Sequence, residues 1–238
     1  MVSTTQAPLA MHMSDGLVSA PTAVGFGLVA IVGLAIAVQR ARADLDDRTA
    51  PMAGLVTAFV FAVQMINFPI LPGASGHLLG GALVAILVGP WVGSLCIAIV
   101  LAVQALLFAD GGLTTLGTNI VNMALVGVLV GHLVATAMRP IARRGRTGLL
   151  ATAFVAALVN TVVAALAFVL EYAIGGAGGA SLPTVAALML GLHTLIGIGE
   201  GIITAATVGA VAAVRPDLVH LLRGRAVPLA VRGAGEAA

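Results

Sequence analysis

The chain is a succession of apolar stretches separated by short polar joints, and the length of those stretches limits what it can fold into. A bilayer core of ~30 Å takes roughly 20 helical residues to cross. Residues 20–39, 51–68, 90–108, 117–138, 148–173 and 183–213 read as six such helices. The run 77–108 is too long for one span and is broken at Gly89-Pro90, which divides it into a short helix, 77–88, and the helix at 90–108. The short piece reaches only ~18 Å, so it must pack inside the protein or line a cavity. The expected fold class is an all-α polytopic membrane bundle of about seven helical segments.

Charge orients this bundle. Only 8% of residues are charged, against roughly a quarter in soluble domains, and 60% are apolar. All eleven basic residues are Arg, and they fall in three groups: Arg40, Arg42 and Arg48; Arg139, Arg143, Arg144 and Arg146; and Arg215, Arg223, Arg225 and Arg232. Short Arg-rich loops stay in the cytoplasm, so the N-terminus is expected outside and the C-terminus cytoplasmic. The other face then carries Asp15, Asp110 and Glu171, with His12 and His77 at that level, a cation-free surface suited to capturing a cation. No basic run is interleaved with aromatics, so nucleic acid is not an expected partner. The single Cys96 excludes a disulfide framework. Residues 1–10 read as an extension that is either non-native or disordered, 11–214 as a transmembrane metal-binding domain, and 215–238 as a cytoplasmic tail.

Met11-His12-Met13-Ser14-Asp15-Gly16 precedes the first span. If translation starts at Met11 rather than Met1, its free amine, the next backbone nitrogen and the His12 imidazole form adjacent chelate rings. His77, in Gly73-Ala74-Ser75-Gly76-His77, then closes a four-nitrogen site of the kind nickel(II) or copper(II) favours. The plainer alternatives are a solvated interfacial His12 and a His77 that caps the short helix. Gln64, Asn67, Gln104, Asn119 and Asn122 sit in outer halves of helices, either orienting ligands or gluing helices together. Asp110 either attracts the cation or simply makes the Asp110-Gly111 turn. His193 and Glu200 lie seven apart on one helix face, a buried polar pair deeper than the proposed site.

Five segments resemble the CbiM/NikM family: 11–16, 73–81, 104–112, Gly117-Thr118-Asn119-Ile120-Val121-Asn122-Met123, and 193–200. These are substrate-binding membrane subunits (S components) of energy-coupling factor (ECF) transporters for cobalt and nickel. The resemblance implies that Met11, through its amine, His12 and His77 hold Co2+ or Ni2+ as transported substrate. Asp15 and Ser75 join the supporting candidates. Members usually begin Met-His-Ile-Pro-Asp-Gly, whereas Met13-Ser14 stands here at the middle pair, and the ten residues before Met11 depart from the pattern. The resemblance further implies separate ATPase subunits, a transmembrane coupling (T) subunit and a small accessory membrane subunit. Its setting is the cytoplasmic membrane of a bacterium, with cobalt taken up for cobalamin synthesis or nickel for nickel enzymes. No Walker lysine, His-Glu-Xaa-Xaa-His or Gly-Xaa-Ser-Xaa-Gly motif is present, so the chain is not expected to be an enzyme. A proton-coupled secondary transporter using His193 and Glu200 is the alternative.

Overall fold

The computed structural model describes residues 12–66, 68–71 and 74–223. Helix α1 (Ala20–Asp44) is followed by α2 (Thr49–Gln64) and an antiparallel hairpin of β1 (Phe68–Leu71) and β2 (Ala74–Gly76). Then come α3 (Gly81–Val88) and α4 (Pro90–Leu107). Helix α5 (Leu116–Asn119) continues through a π-helical stretch, Ile120–Gly127, into α6 (Val128–Ala137). A single turn, α7 (Arg139–Ala142), leads to the long pair α8 (Arg146–Gly175) and α9 (Leu182–Val214), and two 3-10 turns end the described chain. Helices α1, α4, the continuous 116–137 helix, α8 and α9 are each long and apolar enough to cross a membrane. With α2 and the short α3 they make the seven segments expected, and the protein is a multi-pass membrane protein.

Three boundaries differ by four or five residues from the sequence expectation. Helix α1 runs on to Asp44, carrying Arg40 and Arg42 within it. Helix α2 stops at Gln64, and the strands Phe68–Leu71 and Ala74–Gly76 follow it; Pro69 has no N–H with which to continue a helix. The short helix begins at Gly81 rather than at His77, because the backbone N–H groups of Leu79 and Gly80 bond to the Glu200 side chain and Gly80 has a φ of +78°. All eight residues of α3 are buried, and at about 12 Å it is too short to span. It sits inside the bundle, packed against α2, α4, α6, α8 and α9.

Small residues set the helix spacing. Gly197 and Gly201 of α9 face Leu158 and Phe154 of α8 with no room for a Cβ, which lets the two long helices close on each other. Ala153, Ala156, Ala157, Ala164 and Ala165 form the fully buried stripe of α8. Gly117 meets the backbone of Gly27 in the same way, drawing α1 against α5.

The bundle has two chemically different ends. At one, the arginines gather: Arg40 lies 5.7 Å over the Trp91 ring, and Arg223 donates to Thr49 Oγ1 at 2.7 Å. Arg215 pairs with Asp217 at 2.8 Å, and Val219 and Leu221 are buried where the chain folds back beneath α3. At the other end, Val18 bridges Gly176, and the loop 108–115 closes over the segment 12–17.

Candidate metal centre

The segment before α1 is held by its backbone rather than by regular structure. Met13 N–H donates to Asn119 Oδ1 at 2.8 Å. Its carbonyl accepts from Asn119 Nδ2 (3.1 Å), Thr115 Oγ1 (2.6 Å) and Gly112 N (2.9 Å). Two residues on, Asp15 Oδ1 accepts from Thr114 N at 2.8 Å and Thr114 Oγ1 at 2.5 Å, and these bonds lower its pKa. Gly112 has no room for a Cβ beside Asp15. Residues 12–15 are thereby pinned to 112–119, and the His12 ring is fixed in place.

His12 is buried, with Nδ1 3.0 Å from Asp110 Oδ1. An ionised carboxylate can only accept, so Nδ1 carries the hydrogen. That bond is also the main reason the Asp110 carboxyl is held below its usual pKa. The turn presenting Asp110 is tight: Ala109 has a φ of +53°, and Asp110 N–H returns to Gln104 O at 3.1 Å. A non-glycine residue in that region stores strain, a common feature of functional loops.

His77 is fully buried, and its ring centroid lies 4.4 Å from that of His12, tilted by 39°. His77 Nδ1 donates to Leu78 O at 3.0 Å. The Nε2 atoms of both rings are buried without a hydrogen-bond partner among the described residues. Two buried imidazoles thus meet with unpartnered ring nitrogens, a poor arrangement for packing alone. No group of three His, Cys, Asp or Glu side chains suited to a metal ion occurs among the described residues.

The remaining candidates divide. Gln64 Nε2 donates to Leu79 O at 2.6 Å, supporting the His77 turn from α2. Gln104 Nε2 faces Met65 Sδ at 3.9 Å, and Asn122 Nδ2 donates to Glu171 Oε2 at 2.7 Å. His193 and Glu200 are both buried but are not bonded to each other: His193 Nδ1 donates to Met189 O at 2.7 Å, one turn back in its own helix. Glu200 instead takes the Leu79 and Gly80 N–H groups, Asn160 and Thr161. Met11, Asn67 and the Ser75 side chain lie outside the described residues. Sequence reasoning missed Thr114, Thr115, Asn160 and Thr161; of these Asn160, an amide inside an apolar span, was the one with a visible signal.

A model of the cobalt uptake substrate-specific transmembrane region, CbiM, matches residues 12–218. The chain belongs to the CbiM family. This CbiM-family chain is 40% identical over 210 residues to a putative fused nickel transport protein NikMN of Archaeoglobus fulgidus, covering 88% of itself and 68% of that longer chain. It is 30% identical to the cobalt transport protein CbiM of Sorangium cellulosum over 220 residues, 90% of this chain and 96% of that one. Among solved structures, a truncated transition metal transporter superposes with a TM-score of 0.77 at 27% identity, covering 85% of this chain and 98% of that one. The matched region takes in His12, His77, Asp110 and Asn119.

Proposed function

We propose that the protein is the substrate-binding subunit of an ECF-type ABC importer for cobalt or nickel, with cobalt for cobalamin synthesis as the first assignment. The observation that carries this reading is the pair of buried imidazoles, His12 and His77, with ring centroids 4.4 Å apart and the His77 Nε2 without a partner among the described residues. Two imidazoles leave a transition metal short of ligands, and the donors nearest in sequence are backbone nitrogens: the amide of His12 and, in a chain that starts at Met11, its amine. An amide nitrogen and the imidazole of the same residue close a six-membered ring only through Nδ1. Capture of the ion therefore needs Nδ1 to give up both its bond to Asp110 and its hydrogen, with Nε2 free to carry one instead, and the amide must release its proton to solvent.

The site end faces the outside and the Arg-rich end the cytoplasm of a bacterial cell, in keeping with the distribution of Arg. Energy comes from separate ATPase subunits through a transmembrane coupling subunit, with a small accessory membrane subunit alongside. Proton coupling through His193 and Glu200 loses its motive, since each is bonded to other partners.

Isothermal titration of Co2+ and Ni2+ into purified protein starting at Met11 tests the site. One ion per chain is expected. His12→Ala and His77→Ala should each weaken binding by more than about 100-fold, beyond the 10–100-fold typical of outer partners. Unchanged affinity in either variant, or equal affinity when residues 1–10 are retained, refutes the ligand set.

A further inference from the structure

We propose that Glu200 is a positioning residue that ties the His77 turn to helix α9, so that metal capture at one end of the bundle is felt along α9. The inference rests on His77 being a metal ligand. Residues 77–80 have no regular structure, yet they lie buried inside the bundle, where an unpaired backbone group is costly. Their partners come from the surrounding helices. Gln64 of α2 holds Leu79 O, and the carboxylate of Glu200 takes both following N–H groups, Leu79 at 2.9 Å on Oε2 and Gly80 at 3.0 Å on Oε1.

Glu200 is itself held from α8, by Asn160 Nδ2 at 3.1 Å on Oε1 and Thr161 Oγ1 at 2.8 Å on Oε2. Each oxygen therefore has one backbone and one side-chain partner, and the carboxylate has little freedom to swing. Gly80, with a φ of +78° and the Val60 side chain where a Cβ would stand, admits no easy compensation on the other side of the turn. A shift of His77 as it closes on an ion moves the Leu79 and Gly80 N–H groups, and Glu200 must follow or lose two buried bonds. From Glu200, α9 runs uninterrupted to Val214 at the Arg-rich end. The carboxylate is thus a mechanical joint between ligand and long helix.

The test uses the whole chain starting at Met11, with Cys96→Ala to remove the only thiol and Val214→Cys as a reporter, Val214 being 79% exposed. Co2+ affinity and maleimide labelling of the reporter with and without Co2+ are compared for Glu200, Glu200→Gln and Thr161→Val. In the parent, Co2+ should change the labelling rate. Glu200→Gln should bind Co2+ roughly 10- to 100-fold more weakly and lose the labelling response, and Thr161→Val should shift both in the same direction by less. A purely structural Glu200 would lower the metal-free melting temperature and leave the Co2+ response intact.

Parent-like affinity in Glu200→Gln, a response that survives it, or no response in a parent that binds Co2+ overturns the inference while leaving metal binding standing. Should Glu200→Gln not fold, Thr161→Val decides by the same two readouts. A parent that does not bind Co2+ overturns the metal reading and this inference with it.

Discussion

At the scale of single residues, the site depends on which atoms are already occupied. Asn119 uses both ends of its amide on Met13, and Thr115 and Gly112 add two more donors to the same carbonyl. Asn119→Ala removes two bonds that place the residue following His12, so metal affinity should fall by about 10- to 100-fold, as for outer partners elsewhere. Titration calorimetry measures this, and parent affinity would make Asn119 a packing residue only. The loop carboxylates add a pH dependence. Asp15 and Asp110 both have depressed pKa values, from the Thr114 and His12 bonds respectively. Groups depressed in the folded state contribute above their unfolded value of about 4 and lose that contribution as pH falls through the folded one. Acidification below about pH 4 should therefore loosen residues 12–18 before the helices. Hydrogen exchange of those amides reports it, and in Asp15→Asn with Asp110→Asn the pH dependence should flatten.

At the scale of elements, the spans were legible because length and hydropathy in lipid leave one solution, and breaks such as Gly89-Pro90 mark themselves. The segment from Gln64 to Gly81 was not legible in the same way. At Leu79 and Gly80 the backbone is satisfied by side chains from α2 and α9, and a sequence displays the face a residue occupies but not the neighbour it meets. The seven-residue spacing of His193 and Glu200 correctly put both on a buried face, but each has found a partner other than its helix mate. His12 and His77 stood out through the Met11-His12 chelate and the family resemblance, and Asp110 and Asn119 as polar groups in an apolar chain, whereas threonines in apolar runs look like ordinary helix glue. Gly80 tests the irregular segment. Its φ of +78° and the Val60 methyls 2.8 and 2.9 Å from a would-be Cβ make Gly80→Ala both strained and crowded. A loss of roughly 1–3 kcal/mol is expected, read as a lower thermal midpoint, with weakened metal binding because His77 is three residues away. An unchanged midpoint would mean the turn relaxes freely.

At the scale of the whole molecule, the two ends differ so strongly that the direction of insertion can be argued and tested. The described arginines collect at the end where α1, α6 and α9 finish, while the histidine pair and the Asp15 and Asp110 loops occupy the opposite end. Moving short Arg-rich loops across a membrane is disfavoured, so the histidine end should face outward. Cys96, 4% exposed and packed with its thiol towards Ala53 O, can be replaced by Ala to give a thiol-free background. In that background Leu113→Cys, 56% exposed in the loop beside Asp15, should react with a membrane-impermeant maleimide added to intact cells. Arg144→Cys, exposed between α7 and α8, should react only after the cells are opened. The reverse labelling would place the imidazoles on the cytoplasmic side, where they could not receive an ion from outside. Such a result would leave the metal-binding chemistry standing while removing uptake as its purpose, because a captured ion would already be inside the cell.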